Sequence, residues 1–301
     1  MSGRTRKGSA GAWRCPRCSK RFHTWRPGMI VCIRPLLHWM PYAWAGRAMW
    51  RWRSQFFCSS FVAMDRSRYQ SISRVADVAR LLGELAGQCV FVGGAATGLL
   101  LTDPAVADVR PTLDVDVIVE LVTRAEFYKF QDALRARGFV EDCESGVICR
   151  WRHEPIVLDV MPTDPEILGF ANRWYSNAVR FAHEYACDGV RLRCVSPAYF
   201  LATKLEAFRG RGEGDYMLSR DMEDFIAVID GRLEIVADVA GADDEVRAYL
   251  AQQAAVLLAD DDFIDALPGH LPGDAANQQR VPLLVGRMEG IAAMQFKNPE
   301  A

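Results

Sequence analysis

Ile72, Val75, Val78, Leu81, Leu82 and Leu85 are apolar at helical spacing, which predicts an amphipathic helix over residues 71–87. Residues 89–92, CVFV, are uniformly apolar and read as a short buried strand. GGAATGLLL follows at once and puts two glycines, Gly93 and Gly94, at a strand-to-helix turn. The loop TDPAVADVRPT leads to a β-branched run, VRPTLDVDVIVE, over residues 109–120. Thr123 with Glu126 has the pattern of a capping box, opening a helix that runs through Arg137 and stops at Gly138. Strands are predicted over 139–143, 147–153 and 156–161; the short links ESG and EP make them hairpins in an antiparallel or mixed sheet. A helix over 173–185 and a strand over 189–195 follow. From Ser196 the pattern turns helical, with Ser196 as N-cap and Pro197 in the first helical position. Helices are expected over 197–209, 219–230, 232–241, 243–259 and 275–294, and no internal repeat is visible. The expected fold class is therefore α/β (α+β): a mixed sheet with flanking helices over 64–195, then an all-helical region over 196–301.

Charge separates off the beginning of the chain. Residues 1–66 hold 13 Lys and Arg against one acid, Asp65, and six of the eight tryptophans; the remainder carries a net charge of −14. Residues 1–63 thus read as a basic, tryptophan-rich, poorly ordered extension, and Met64 as an ordinary domain opening. Cys15 and Cys18 form a C-x-x-C followed by His23, half of a zinc site. No second pair follows; Cys32, His38 and Cys58 are loose candidates, so an unpaired C-x-x-C is the expectation. Basic residues among tryptophans also suit nucleic acid, by charge and stacking.

Nine scattered cysteines make a poor disulfide framework and fit a reducing, cytoplasmic setting. The most apolar stretch, GMIVCIRPLLHWMPYAWAG, is broken by Arg34, Pro35, His38 and Pro41. It falls short of the roughly 18 uninterrupted apolar residues of a membrane helix, so no membrane partner is expected.

The chemistry concentrates in three aspartates. Alternate residues of a strand share a face, so Asp114 and Asp116 point one way while Val115 and Val117 enter the core. Two carboxylates roughly 6–7 Å apart at their Cα atoms repel one another unless a cation lies between them. The bland alternative is a solvent-facing edge strand. IVLDVMP adds a third isolated strand aspartate, Asp159. Gly93 and Gly94 open a helix whose free N–H groups and dipole suit a phosphate. Three strand carboxylates with such a turn describe a two-metal phosphoryl-transfer site. Lys204, on the helix after Ser196, is either a triphosphate ligand or a surface lysine paired with an acid. Asp221 and Asp224 share a helix face three residues apart, where a solvated helix start would also welcome acids.

FVGGAATGLLL, RPTLDVDVIVEL and LDVMPTD together resemble the nucleotidyltransferase superfamily with its polymerase-beta-like core: Gly-Gly, then Asp-x-Asp, then a lone strand aspartate. The run from Gly94 to Asp114 is longer than usual through TDPAVADVR. FLATKLEAFRGRGEGDYMLSRDMEDFIAVIDGR resembles the AbiEii/AbiGii-type toxin branch, in which a helix lysine precedes an R-D-x-x-D-like helix. The resemblance spans residues 70–290. It implies a metal-dependent enzyme that moves a nucleoside monophosphate from an NTP to an acceptor hydroxyl and releases pyrophosphate. Asp114, Asp116 and Asp159 would hold two Mg²⁺ or Mn²⁺ ions. Gly93, Gly94, Lys204 and Asp224 would meet the nucleotide, and Lys204 and Asp221 would act in catalysis. Arg209, Arg211 and Arg220 rank below these as phosphate-steering residues. The toxin branch implies an RNA acceptor such as the tRNA 3′ end, and a cognate antitoxin. The charge of −14 beyond residue 66 argues against a long basic RNA track and keeps a small-molecule (antibiotic-type) or protein acceptor open. A non-catalytic nucleotide sensor, or a nucleic-acid adaptor built on residues 1–63, are the readings of other classes; the third aspartate favours catalysis over sensing.

Overall fold

The computed structural model describes residues 13–14, 21–22, 66–106, 109–121 and 123–296. The chain divides into two compact units, Met1–Ser59 and Ser60–Ala301. In the first, β1 (Trp13–Arg14) pairs antiparallel with β2 (Arg21–Phe22). Cys15, Cys18, His23, Cys32, His38, Cys58 and the expected domain opening at Met64 lie outside the described residues.

The second unit is a mixed α/β body built on a seven-stranded sheet, with strand order β5-β6-β7-β4-β3-β9-β8. Its centre is β4 (Asp114–Val119), antiparallel to β3 (Cys89–Val92) on one side and parallel to β7 (Ile156–Pro162) on the other. On one side β6 (Arg150–His153) and β5 (Val140–Glu141) continue antiparallel from β7. On the other, β9 (Val190–Cys194) runs parallel to β3, and β8 (His183–Cys187) forms the edge. Phe91, Ile118 and Leu158 are fully buried within these strands, and Val115 and Val117 enter the core as their alternation requires.

The helices follow the sequence in kind, with differences that have local causes. α1 (Arg66–Leu82) starts earlier than predicted and gives way to a 3₁₀ segment at Gly83, whose φ of +54° ends the α-helix. α2 (Gly93–Leu100) packs against β4. α3 (Arg124–Ala136) opens on the full Thr123–Glu126 capping box. The helix expected over 173–185 is only α5 (Tyr175–Arg180), after a single turn α4 (Pro165–Leu168). The residues that follow α5 pair instead as β8 with β9. Asp188 and Gly189, at φ 46° and 77°, make the two-residue hairpin turn that joins them.

Beyond the sheet, α6 (Pro197–Arg211) packs on α7 (Arg220–Gly231), and α7 on α2. Ser196 holds the N-cap position, but its side chain makes no capping hydrogen bond; Pro197 in the first turn starts the helix without it. α8 (Ile235–Ala240), α9 (Asp244–Leu258) and α10 (Asp261–Ala266) complete the layer. The helix expected over 275–294 is split into α11 (Ala275–Gln278) and α12 (Val281–Ala292), because Pro282 lacks the N–H that would continue the first into the second. The expected boundary between residues 195 and 196 falls inside this unit, whose sheet and helices share one buried apolar cluster. No helix among the described residues is long and apolar enough to cross a membrane.

Candidate active site

Strand register assembles the site. Asp116 sits directly beside Asp159 in the parallel β4–β7 pair, and Asp159 directly opposite Arg150 in the antiparallel β6–β7 pair. Paired residues share a face, so Asp114, Asp116, Asp159 and Arg150 all project from one side of the sheet. They line a cavity of about 640 Å³ together with Gly94, Arg110, Lys204, Arg211, Asp221 and Asp224. Every candidate aspartate, together with Lys204, is thereby brought to one place.

Gly93 opens α2 at φ +71°, and a Cβ there would stand 1.8 Å from Asp116 Oδ2. Its glycine is required by the Asp116 carboxylate lying against the turn as well as by the backbone. Gly94 lines the cavity, and a Cβ on it would stand 2.6 Å from Thr112 Cγ2 and 3.1 Å from Asp224 Oδ2.

The three strand aspartates have unequal surroundings. Arg150 donates to both oxygens of Asp159, at 2.8 and 2.7 Å, and to Asp114 Oδ2 at 3.1 Å. The hydrogen bonds that Arg150 donates to Asp159 hold the Arg150 pKa above the ordinary arginine range. The Asp116 side chain makes no hydrogen bond or ion pair among the described residues. Burial, then the neighbouring Asp114 charge, push its pKa up to about 7 against the opposing charge of Lys204.

Across the cavity, Lys204 donates to Asp224 Oδ2 at 2.6 Å and to Asp221 Oδ1 at 3.2 Å. Arg211 forks onto Asp221 at 2.8 and 2.9 Å. Lys204 is 8% exposed, so it is no surface lysine. Burial lowers its pKa, but the charges of Asp224 and Asp221 outweigh that and the net shift is upward. Burial likewise raises Asp221, and the hydrogen bonds from Arg211 with the charge of Lys204 reverse it to a net fall. Asp221 and Asp224 do not form a solvated helix start: both are buried, and they pin α7 to α6 through Lys204.

Arg211 and Arg220 line the cavity, as the sequence ranking allowed. Arg209 does not; it pairs with Gln253 and Glu206 on α9 and α6. Sequence reasoning missed Arg110 and Arg150. Arg110 reaches Glu223 at 3.0 Å and Asp224 at 3.4 Å from the long loop before β4. The signal for Arg150 was present: a two-residue Glu154-Pro155 turn places residue 150 opposite residue 159.

The donors suit one hard cation. Asp114 and the unpartnered Asp116 offer carboxylate oxygens on one face, the chemistry Mg²⁺ or Mn²⁺ takes. Asp159, the third residue expected to hold an ion, instead accepts from Arg150 on both its oxygens. Among the described residues no group of three or more His, Cys, Asp or Glu side chains is set to close on a metal ion. The cavity lining counts seven acids (Asp114, Asp116, Asp159, Glu213, Asp215, Asp221, Asp224) against five bases (Arg110, Arg150, Lys204, Arg211, Arg220). A polyphosphate enters such a cavity favourably only with added cations.

The fold and site define a mixed α/β protein with a carboxylate-lined cavity at a glycine turn. No family model matches the chain, and no curated protein matches it. Among solved structures, it is similar to an antigenic nucleotidyltransferase-like protein from Paracoccidioides brasiliensis. That match has 22% identity and a TM-score of 0.43, and covers 67% of this chain and 93% of that one. It is also similar to JHP933 from Helicobacter pylori, at 11% identity and a TM-score of 0.36, covering 75% of this chain and 93% of that one.

Proposed function

We propose that the protein is a metal-dependent nucleotidyltransferase that moves a nucleoside monophosphate from an NTP to an acceptor hydroxyl. The observation that carries this reading is the register that sets Asp114 and Asp116 beside the Gly93–Gly94 turn of α2, with Asp116 left without a partner. Asp114 and Asp116 would hold Mg²⁺ or Mn²⁺, which when bound neutralises phosphate charge and stabilises the charge developing during transfer. Gly94 lets phosphate oxygens approach the start of α2, where free N–H groups point. Arg211, largely exposed at the rim of the cavity, supplies a further cation to the entering triphosphate. Lys204 acts at one remove: it neutralises Asp221 and Asp224 and so keeps α7 seated against the cavity. The chain's own contribution is position and charge, which phosphoryl transfer chiefly needs.

RNA, including the tRNA 3′ end, is the acceptor class that the toxin-like motif around Lys204 and Asp221 suggests, and with it an antitoxin partner. A second reading has two specific observations in its favour. The cavity's excess of acids, and the net −14 beyond residue 66, suit a cationic small-molecule acceptor better than a long RNA track.

The test is incubation with each labelled NTP and Mg²⁺, with total RNA or a panel of hydroxyl-bearing polyamines as acceptor. Transfer is expected from the unmodified chain and not from Asp116→Asn, which should remain folded. Transfer by Asp116→Asn at the unmodified rate would sink the assignment.

A further inference from the structure

The aspartate cluster carries a cation of its own. Arg150 lies opposite Asp159 in the β6–β7 register and forks onto it through Nε and Nη2. The same Nη2 reaches Asp114 Oδ2. The Asp159 side chain is only 9% exposed, and both its oxygens are engaged by a group that stays charged at every working pH. A divalent ion seated on those oxygens would lie against the guanidinium charge. The Asp116 carboxylate has no side-chain partner by contrast, and Asp114 Oδ1 makes no hydrogen bond among the described residues; both residues line the cavity. Charge balance runs the same way. Arg150 cancels one of the three carboxylates, and one divalent ion cancels the other two.

We propose that Arg150 is a built-in cation that takes the place of a second metal ion. It withdraws Asp159 from metal binding and limits the site to one divalent ion, held by Asp114 and Asp116. The inference rests on the metal-dependent reading above, but concerns how many ions the site takes and which residue sets that number. Arg150 is in this sense a positioning residue: it acts on the ion count through Asp159 and Asp114.

The test is a titration of the full chain with Mn²⁺ alone, with the free ion followed by its paramagnetic resonance signal. The unmodified protein is expected to bind one Mn²⁺ per chain. Arg150→Gln, which releases both oxygens of Asp159, is expected to bind two. Arg150→Lys keeps the positive charge and is expected to stay at one. In melting curves, Mn²⁺ should raise the midpoint of Arg150→Gln more than that of the unmodified chain, because the ion replaces a missing cation; a merely structural arginine would produce no such difference. If Arg150→Gln does not fold, Asp159→Asn decides the matter: it is expected to keep the one ion, because Asp159 is withdrawn from metal binding, and loss of that ion overturns the inference. Two ions on the unmodified chain, or one on folded Arg150→Gln, overturn the inference and leave the transferase reading intact. No ion on the unmodified chain overturns the metal-dependent reading and the inference with it.

Discussion

Lys204 Nζ lies 2.6 Å from Asp224 Oδ2, joining α6 to α7 between two side chains that are both closed to solvent. An ion pair of this kind contributes little against an apolar substitute, but it is costly to break from one side. Lys204→Met leaves Asp224 with only the longer Arg110 contact at 3.4 Å, and Asp221 with Arg211 alone. It should lose about 3–5 kcal/mol in denaturant unfolding, far more than an exposed lysine. The double variant Lys204→Met with Asp224→Leu should regain a large part of that loss. A single-variant loss under about 1 kcal/mol, the range of a surface pair, would contradict the buried geometry.

Gly93 offers a second test, with Gly146 as its control. Both have φ near +70°, but a Cβ on Gly146 meets nothing within 4 Å, while one on Gly93 meets the Asp116 carboxylate. Gly146→Ala should therefore cost only the backbone penalty, about 1–2 kcal/mol. Gly93→Ala should cost about 1–3 kcal/mol more, the range of overpacking. Equal losses in urea unfolding would mean that Asp116 does not lie against the turn.

Asp221 sets an acid limit on stability. Its folded pKa is depressed below 3.8, the value it takes in the unfolded chain. Its contribution is therefore complete above that value and is lost as pH falls through the lower, folded value. Unfolding free energies measured between pH 5 and pH 2 should fall less steeply with acid for Asp221→Asn than for the unmodified chain. Parallel curves below pH 4 would remove Asp221 from the acid response. Lys204 has the opposite sign. Its pKa is raised above 10.5, so its stabilisation holds below that value and fades as pH rises through the folded one.

The boundary at Ser59–Ser60 predicts that a chain beginning at Met64 keeps its fold. Its denaturant midpoint should match that of the full chain, since every residue of the cavity lies beyond it. A chain from Met64 that is unfolded in buffer would show that the first unit is needed for the second.

Much of this protein is legible in local pattern. Alternation in residues 114–119 put Asp114 and Asp116 on one face and Val115 and Val117 inside, and the strand requires no more than that. The capping box at Thr123, the glycine turn at 93–94 and the hairpin at Glu154-Pro155 are each decided within a few residues, so they are visible in sequence. The helix expected over 173–185 was misread because apolar spacing there suits either state. The deciding Asp188-Gly189 turn lies beyond the segment, and the pairing of β8 with β9 outweighed propensity.

What tertiary structure alone decided is the state of Lys204 and of Asp116. Nothing local distinguishes Lys204 from a surface lysine; it is buried because α7 returns to lay Asp221 and Asp224 over it, 17 and 20 residues on. Asp159 finds Arg150 within its own hairpin, nine residues back, but nothing local shows that Asp116, which sits beside it, is left without a side-chain partner. Residue type supplies a charge. Whether that charge is paired, stranded or available to an ion depends on which distant strands and helices meet around it, because Coulomb interactions and desolvation are set by distance and burial and not by order along the chain.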